Sequence, residues 1–408
     1  MTGVSILGGS QTDFARNWTR EGLGLAQMLE QVCAQALDVT GLEPERVQAI
    51  HVGNFVGELF CGQGMLGGLV NRLYPAWHDL PASRHEAACA SGSMAILAAM
   101  ADIQAGHYDC VLVVGAELMR NVGGQRAAEF LGAAAWAGEE GQSATYLWPH
   151  MFDQVLNEYD RRYGVDMAHL TSIARVNLGN AKRNPLSQTR AWQLTDAHFA
   201  ANDEFNPLIE GRLRRADCGQ ITDGAACLIL ASDAFAERYQ RDYPAQPAPV
   251  PILGWGHRGG PMSLAEKLAI SGDSPWVFPH LRATIQDALS RARLADANAL
   301  DVIETHDCFT VSEYMAIDHF GLTPPGQSWQ FIEEGALALD GRLPINPSGG
   351  LIGSGHPVGA TGVRMLLDGF KQVRGLAGDY QVEGARRVAT LNFGGSATAT
   401  ACFVVGEP

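Results

Sequence analysis

The order of patterned segments in this chain repeats, and that repeat constrains the fold more than any single motif does. Residues 4–8 (VSILG) read as a strand. Residues 22–38 follow with apolar positions Leu25, Met28, Leu29, Val32 and Ala36, spaced as one helix face. A second strand (47–56), a small-residue turn and helix from His85 to Gly106, and an apolar run suited to a buried strand (108–115, YDCVLVVG) come next. Strand character returns at DGAACLILAS, residues 223–232. A proline-rich stretch, DYPAQPAPVP (242–251), reads as a linker. Beyond it the order recurs: a strand at 251–260, a helix at 281–294, a strand at 300–309, a helix from about Gly359 to Gly375, and strands at 386–395 and 398–406. Such alternation predicts an α/β chain with largely parallel sheets and an internal pseudo-twofold. Between Arg120 and Ala216 the pattern breaks. Trp136, Tyr146, Trp148, Tyr159, Tyr163 and Trp192 are mixed there with charges and no strand-like run. That stretch predicts a mostly helical insertion in the first half. The expected boundaries are 1–118 with 217–245 for the first half, 119–216 for the insertion and 251–408 for the second half.

Composition narrows the functional classes. The net charge is −15, from 29 basic and 44 acidic residues, which argues against nucleic acid and against a polybasic membrane surface. No run of about 18 apolar residues occurs, so no membrane-spanning helix is expected. The N-terminal residues lack a charged segment followed by an apolar one, so they do not read as a signal peptide. None of the eight cysteines forms a C-x-x-C pair. A zinc ribbon or a disulfide scaffold is therefore not expected, and a reducing cytoplasmic location fits best. Glycine is in excess, 47 of 408 residues, without a collagen period. It should mark tight turns and close backbone approaches.

Four segments could carry chemistry. Cys89 lies among Ala88, Ala90, Ser91 and Gly92, between an expected strand and an expected helix. Small neighbours leave room for a substrate, and a helix N-terminus lowers a thiol pKa; a buried structural cysteine fits the same pattern. His356 sits in Asn346-Pro-Ser-Gly-Gly-Leu-Ile-Gly-Ser-Gly-His-Pro-Val-Gly-Ala-Thr-Gly, a loop with free backbone amides and little side-chain bulk. A histidine there could move a proton or polarise a carbonyl. His306 and Cys308 follow the apolar segment LDVIE and, two residues apart, point to the same side of an extended chain. Asn392-Phe-Gly394-Gly-Ser396 closes a strand with paired glycines, as a ligand approach or as a hairpin turn. No H-E-x-x-H or clustered carboxylate spacing occurs, so no metal site is expected, and no phosphate-binding glycine loop follows a strand.

Together, in this order, these segments resemble the thiolase superfamily over nearly the whole chain. The most specific element is Asn346-x-x-Gly-Gly-x-x-x-x-Gly-His356-Pro-x-Gly-Ala. Cys89 in ACASG matches the family's nucleophile, and Asp223-Gly-Ala-Ala226 matches the strand that returns from its loop domain. Common thiolases carry a second catalytic cysteine near the C-terminus, where this chain has Asn392, and N-E-A-F where it has His306-Asp-Cys-Phe309. Both departures resemble sterol-carrier-protein-2 type and archaeal-type thiolases. The resemblance implies two similar α/β halves layered αβαβα, with a loop-domain insertion. It implies a cysteine acyltransferase that thiolyses 3-ketoacyl-CoA or condenses acyl-CoA with acetyl-CoA. Cys89 would then carry the acyl group and His356 would activate it. Cys308 would move the second proton. The amides of Cys89 and Gly394 would bind one oxyanion, and His306 and His356 the other. Coenzyme A would be a substrate rather than a bound cofactor, its phosphates near Arg212, Arg214 and Arg215 or near Lys182 and Arg183, unless those form an ordinary solvated face. A homodimer or homotetramer is implied. Two other readings stay open: an acyltransferase subunit serving a non-CoA acceptor beside an OB-fold partner, and a non-thiolytic protein of a lipid or sterol pathway.

Overall fold

A computed structural model describes residues 2–407. Strands β1 (Val4–Gln11), β2 (Ala49–Gly53), β3 (Ala82–His85) and β4 (Cys110–Glu117) precede a small ribbon, β5 (Leu208–Glu210) and β6 (Leu213–Arg214). Then follow β7 (Gly224–Ser232), β8 (Val250–Gly259), β9 (Val302–Thr305), β10 (Arg387–Gly394) and β11 (Ala399–Gly406). Nine of these form one sheet in the order β3-β2-β4-β7-β1-β8-β11-β10-β9.

The repeat expected from sequence is visible in that order. Reading outward from the middle, β1-β7-β4-β2 in one direction corresponds to β8-β11-β10-β9 in the other. The directions match as well: the first two pairings of each series are antiparallel and the third is parallel. The first half adds one more parallel edge strand, β3. Largely parallel sheets were expected, and the structure corrects this. Among the described strand pairings only β2–β3, β2–β4 and β9–β10 are parallel. Local pattern reports strand character but not direction. β7 returns antiparallel after the long excursion that follows β4.

β4 and β7 are buried along their whole length, which explains their near-continuous apolar sequences. The helix Thr361–Arg374 is also enclosed, because it packs between the halves. Val363, Leu366 and Phe370 share one apolar cluster with Val4, Val111 and Leu228 of the first half and with Val388 and Phe403 of the second. The stretch between β4 and β7 holds the helices Gly124–Leu131, Leu147–Tyr163 and Met167–Ala181, as expected, and the unexpected β5–β6 ribbon. Two- and three-residue strands leave no period to read. This stretch packs chiefly on the second half: Phe152, Leu156 and Leu170 share a cluster with Leu281, Phe309 and Phe393. It thereby roofs the ends of β9 and β10. Gly353 makes one close approach possible, since a Cβ there would meet the Asn177 carbonyl and the Ala181 side chain.

Candidate active site

Cys89 sits on a tight turn between β3 and the helix Ser91–Gln104. The 3-10 turn Ala88–Ala90 makes the corner, and Ala88 takes φ +50°, a left-handed conformation that costs alanine about 1–2 kcal/mol. Ser91 holds the corner by accepting from the Ala87 amide (3.0 Å) and donating to the Ala88 carbonyl (2.6 Å). Small residues are needed at this bend, and ACASG supplies them.

The fold brings two histidines to this sulfur from the second half. The Cys89 sulfur and one ring nitrogen from each of His306 and His356 all lie within 4.8 Å of one another. Their outward contacts set opposite tautomers. Thr361 donates its hydroxyl to the Pro357 carbonyl (3.1 Å), so it accepts from His356 Nδ1–H at 2.8 Å. The Nε2 of His356 is therefore a bare lone pair, buried with no hydrogen-bond partner. On the other ring, Ser93 donates to Asn392 Oδ1 (2.8 Å), and Asn392 Nδ2 donates to His306 Nδ1 (3.0 Å). His306 consequently carries its proton on Nε2. One imidazole is an acceptor and the other a donor.

His306, Asp307 and Cys308 follow β9 directly. His306 and Cys308 line the same cavity. Asp307 turns the other way and accepts from the amides of Leu351 and Ile352 and from Asn177 Nδ2, which anchors the start of the loop that ends in His356. Cys308 Sγ has the Ser312 hydroxyl at 3.9 Å. Of the paired glycines, Gly394 packs so closely that a Cβ would run into the Ala87 carbonyl, while the backbone of Gly395 favours the charged form of the Cys89 sulfur. The site opens into a cavity of about 410 Å³. Its walls include Phe55, Tyr146, Trp148, Phe152 and Phe309 beside the catalytic candidates.

Electrostatics set the resting state. Burial pushes the Cys89 thiol up to about 12, and the Gly395 amide pulls only partly against it. A thiol lowered by the helix N-terminus was expected; here burial is the largest effect and raises it. Burial, then Arg364, draws His356 down to about 3. Burial, then His356, holds His306 well below the ordinary value. Cys308 is raised by burial and then by Cys89. The resting site is therefore a neutral thiol between two neutral imidazoles.

Sequence reasoning did not single out Ser93, Thr361, Gly395 or Glu117. Thr361 and Gly395 lie inside motifs it had quoted. Glu117 was detectable as a carboxylate ending an apolar strand. It accepts from the amides of Phe55, Val56 and Gly359 and from Asn54 Nδ2, tying the His356 loop to the ends of β2 and β4. Among the basic residues weighed as phosphate anchors, Arg212 is paired with Asp160 (3.0 Å) and Arg214 with Asp203 (2.7 Å). Arg215 lies over the Trp192 ring and lines both this cavity and a neighbouring one.

Comparison with known proteins decides the family. A model described as thiolase, N-terminal domain, matches residues 4–160, and one described as thiolase C-terminal domain-like matches residues 263–407. The chain belongs to the thiolase superfamily. It is 28% identical over 407 residues to an acetyl-CoA acetyltransferase of Methanothermobacter thermautotrophicus, covering 99% of each chain. It is 29% identical to human sterol carrier protein 2 over 99% of this chain and 72% of that one. Among solved structures, "Ltp2-ChsH2(DUF35) aldolase" superposes with a TM-score of 0.77 at 21% identity, covering 99% of this chain and 98% of that one. The Acat5 thiolase of Ascaris suum in complex with coenzyme A superposes with a TM-score of 0.66 at 16% identity, covering all of both chains. The repeated half-sheets around a shared helix are thus the thiolase fold, and this thiolase-superfamily chain is an acyltransferase enzyme. No helix among the described residues is long and apolar enough to cross a membrane.

Proposed function

We propose that the chain moves acyl groups between thioesters through a covalent intermediate on Cys89, thiolysing 3-ketoacyl-CoA or running the reverse condensation of acyl-CoA with acetyl-CoA. The observation that carries this reading is the pair of opposite tautomers at one sulfur. The His356 Nε2 lone pair takes the thiol proton as sulfur attacks the carbonyl. The amides of Cys89 and Gly394, with Gly395 beside them, receive the oxyanion, a role worth about 10²–10³ in rate per donor. His356 returns the proton to the leaving group as the old bond breaks. His306 Nε2–H polarises the oxygen of the second thioester, and Cys308 takes or returns the proton at its α-carbon or on incoming coenzyme A. The roles of Gly394 and Asn392 follow: Gly394 keeps the amide turn close, and Asn392 fixes the His306 tautomer. Arg215 beside Trp192 suits a phosphate near an aromatic ring.

Mixing the protein with an acyl-CoA and digesting it should show the acyl mass on the Cys89 peptide. Cys89→Ala should lose both that mass and turnover. Turnover persisting in Cys89→Ala would end the assignment. A second reading, transfer to a non-CoA acceptor beside a partner protein, draws support from the two-component description of the aldolase neighbour. Acyl transfer measured with and without coenzyme A separates the two.

A further inference from the structure

Cys89, His306 and His356 offer one sulfur and two imidazole nitrogens within 4.8 Å of one another. That is ligand chemistry for a borderline-soft divalent cation, zinc above all. Three protein ligands with one open side is also the pattern in which water or a small ligand completes the sphere. No other comparable group of histidine, cysteine and carboxylate side chains comes together among the described residues. Histidine spacing predicted no metal site, because the three residues come from separate segments.

His356 is already arranged as a ligand. Thr361 engages its Nδ1–H, and its buried Nε2 lone pair has no partner. A hydrogen bond to the far nitrogen is what orients a metal-bound imidazole. His306 needs one change. Turning over the Asn392 amide presents Oδ1 to Nδ1–H and frees Nε2, and the Ser93 hydroxyl can accept where it had donated. Bonds of about 2.3 Å to sulfur and 2.0–2.1 Å to nitrogen put tetrahedral ligand atoms roughly 3.3–3.6 Å apart. The three atoms need close by no more than about 1.5 Å, within the reach of side-chain rotation.

We propose that Cys89, His306 and His356 bind one zinc ion whose fourth position faces the cavity, and that zinc and an acyl group exclude each other at Cys89. On binding, the S–H bond breaks, a Zn–S bond forms and the proton leaves to solvent; nothing is oxidised. An acylated sulfur has no thiolate to offer, and a zinc-bound one does not attack. The inference rests on geometry alone, so it stands or falls separately from acyl transfer.

The test uses the metal-free full chain, with zinc followed by calorimetry and cobalt(II) followed by absorption. One ion per chain is expected, with a thiolate-to-cobalt charge-transfer band. Zinc should protect Cys89 from iodoacetamide until EDTA is added. Cys89→Ala should abolish the band, and His356→Ala should weaken zinc by about tenfold or more. Asn392→Asp should tighten zinc by about tenfold, because a carboxylate fixes His306 Nδ1–H, while the same change lowers acyl transfer. A band that survives in Cys89→Ala would put the metal on other cysteines and overturn the site. So would the absence of zinc binding, or unchanged affinity in a His356→Ala protein whose near-UV circular dichroism is native.

Discussion

At the residue scale, the proposed reaction depends on which nitrogen carries which proton. Asn392 sets this for His306 by donating from Nδ2, and Ser93 sets Asn392 in turn. Asn392→Asp keeps the shape but replaces a donor with an acceptor. The imidazole proton then moves to Nδ1, and the Nε2–H that should polarise the thioester oxygen is gone. Turnover should fall by about 10²–10³, the usual loss for one such donor, with the thermal midpoint nearly unchanged. Steady-state rates on an acyl-CoA, beside a melting curve, check this; a loss below about threefold would remove His306 from oxyanion binding. Cys89 and His356 were legible because turn-forming neighbours advertise them. The tautomers were not, because Ser93 and Asn392 are 299 residues apart, and no local pattern couples them.

At the scale of elements, the site is a set of chain ends held in register by buried polar side chains. Glu117, ending β4, receives four donors from two segments, residues 54–56 after β2 and Gly359 of the His356 loop. Both carboxylate oxygens only accept. Glu117→Gln would set an amide NH2 against N–H donors and should cost about 1–3 kcal/mol in urea unfolding, with slower turnover as Gly359 shifts. Lys267 does the equivalent work on the β10–β11 turn, which carries Gly395. This buried lysine donates to the Met262 carbonyl (3.0 Å), Ser396 Oγ (2.6 Å) and Thr398 Oγ1 (2.9 Å). Burial lowers its amine from 10.5 to about 8. Between those values the unfolded chain binds more protons than the folded one, so this group makes stability rise with pH from about 8 to 10.5. The urea midpoint of the wild type, relative to Lys267→Met, should therefore climb across that window. A constant difference would show that the amine titrates normally. Elements with a long period were readable from sequence, whereas the β5–β6 ribbon was too short and the antiparallel return of β7 depends on where the excursion after β4 leaves the chain.

At the scale of the whole molecule, the two half-sheets touch along very little backbone. β1 and β8 pair only through Ser5 with Pro251 and Ile6 with Val250, and proline has no amide to donate. Besides the insertion packed on the second half, what joins the halves is the helix Thr361–Arg374, the same element that begins just after His356. Its Val363, Leu366 and Phe370 are packed among side chains of β1, β4 and β7 as well as β10 and β11. Buried Arg364 ties it to Glu304 of β9 (3.3 Å) and is paired along the helix itself with Asp368 (2.9 Å). The repeat in the sequence announces two similar halves, but the enclosed helix makes one core of them, because neither half can bury that helix alone. Unfolding should therefore be a single transition in urea, with far-UV circular dichroism and tryptophan fluorescence superimposing. Phe370→Ala should lower stability by about 3–5 kcal/mol, the usual cost of emptying a buried phenylalanine site. It should move both signals together. If the variant instead melts in two steps, with one half outlasting the other, the shared helix is not what couples them, and His306 and His356 could separate from Cys89 without either half unfolding.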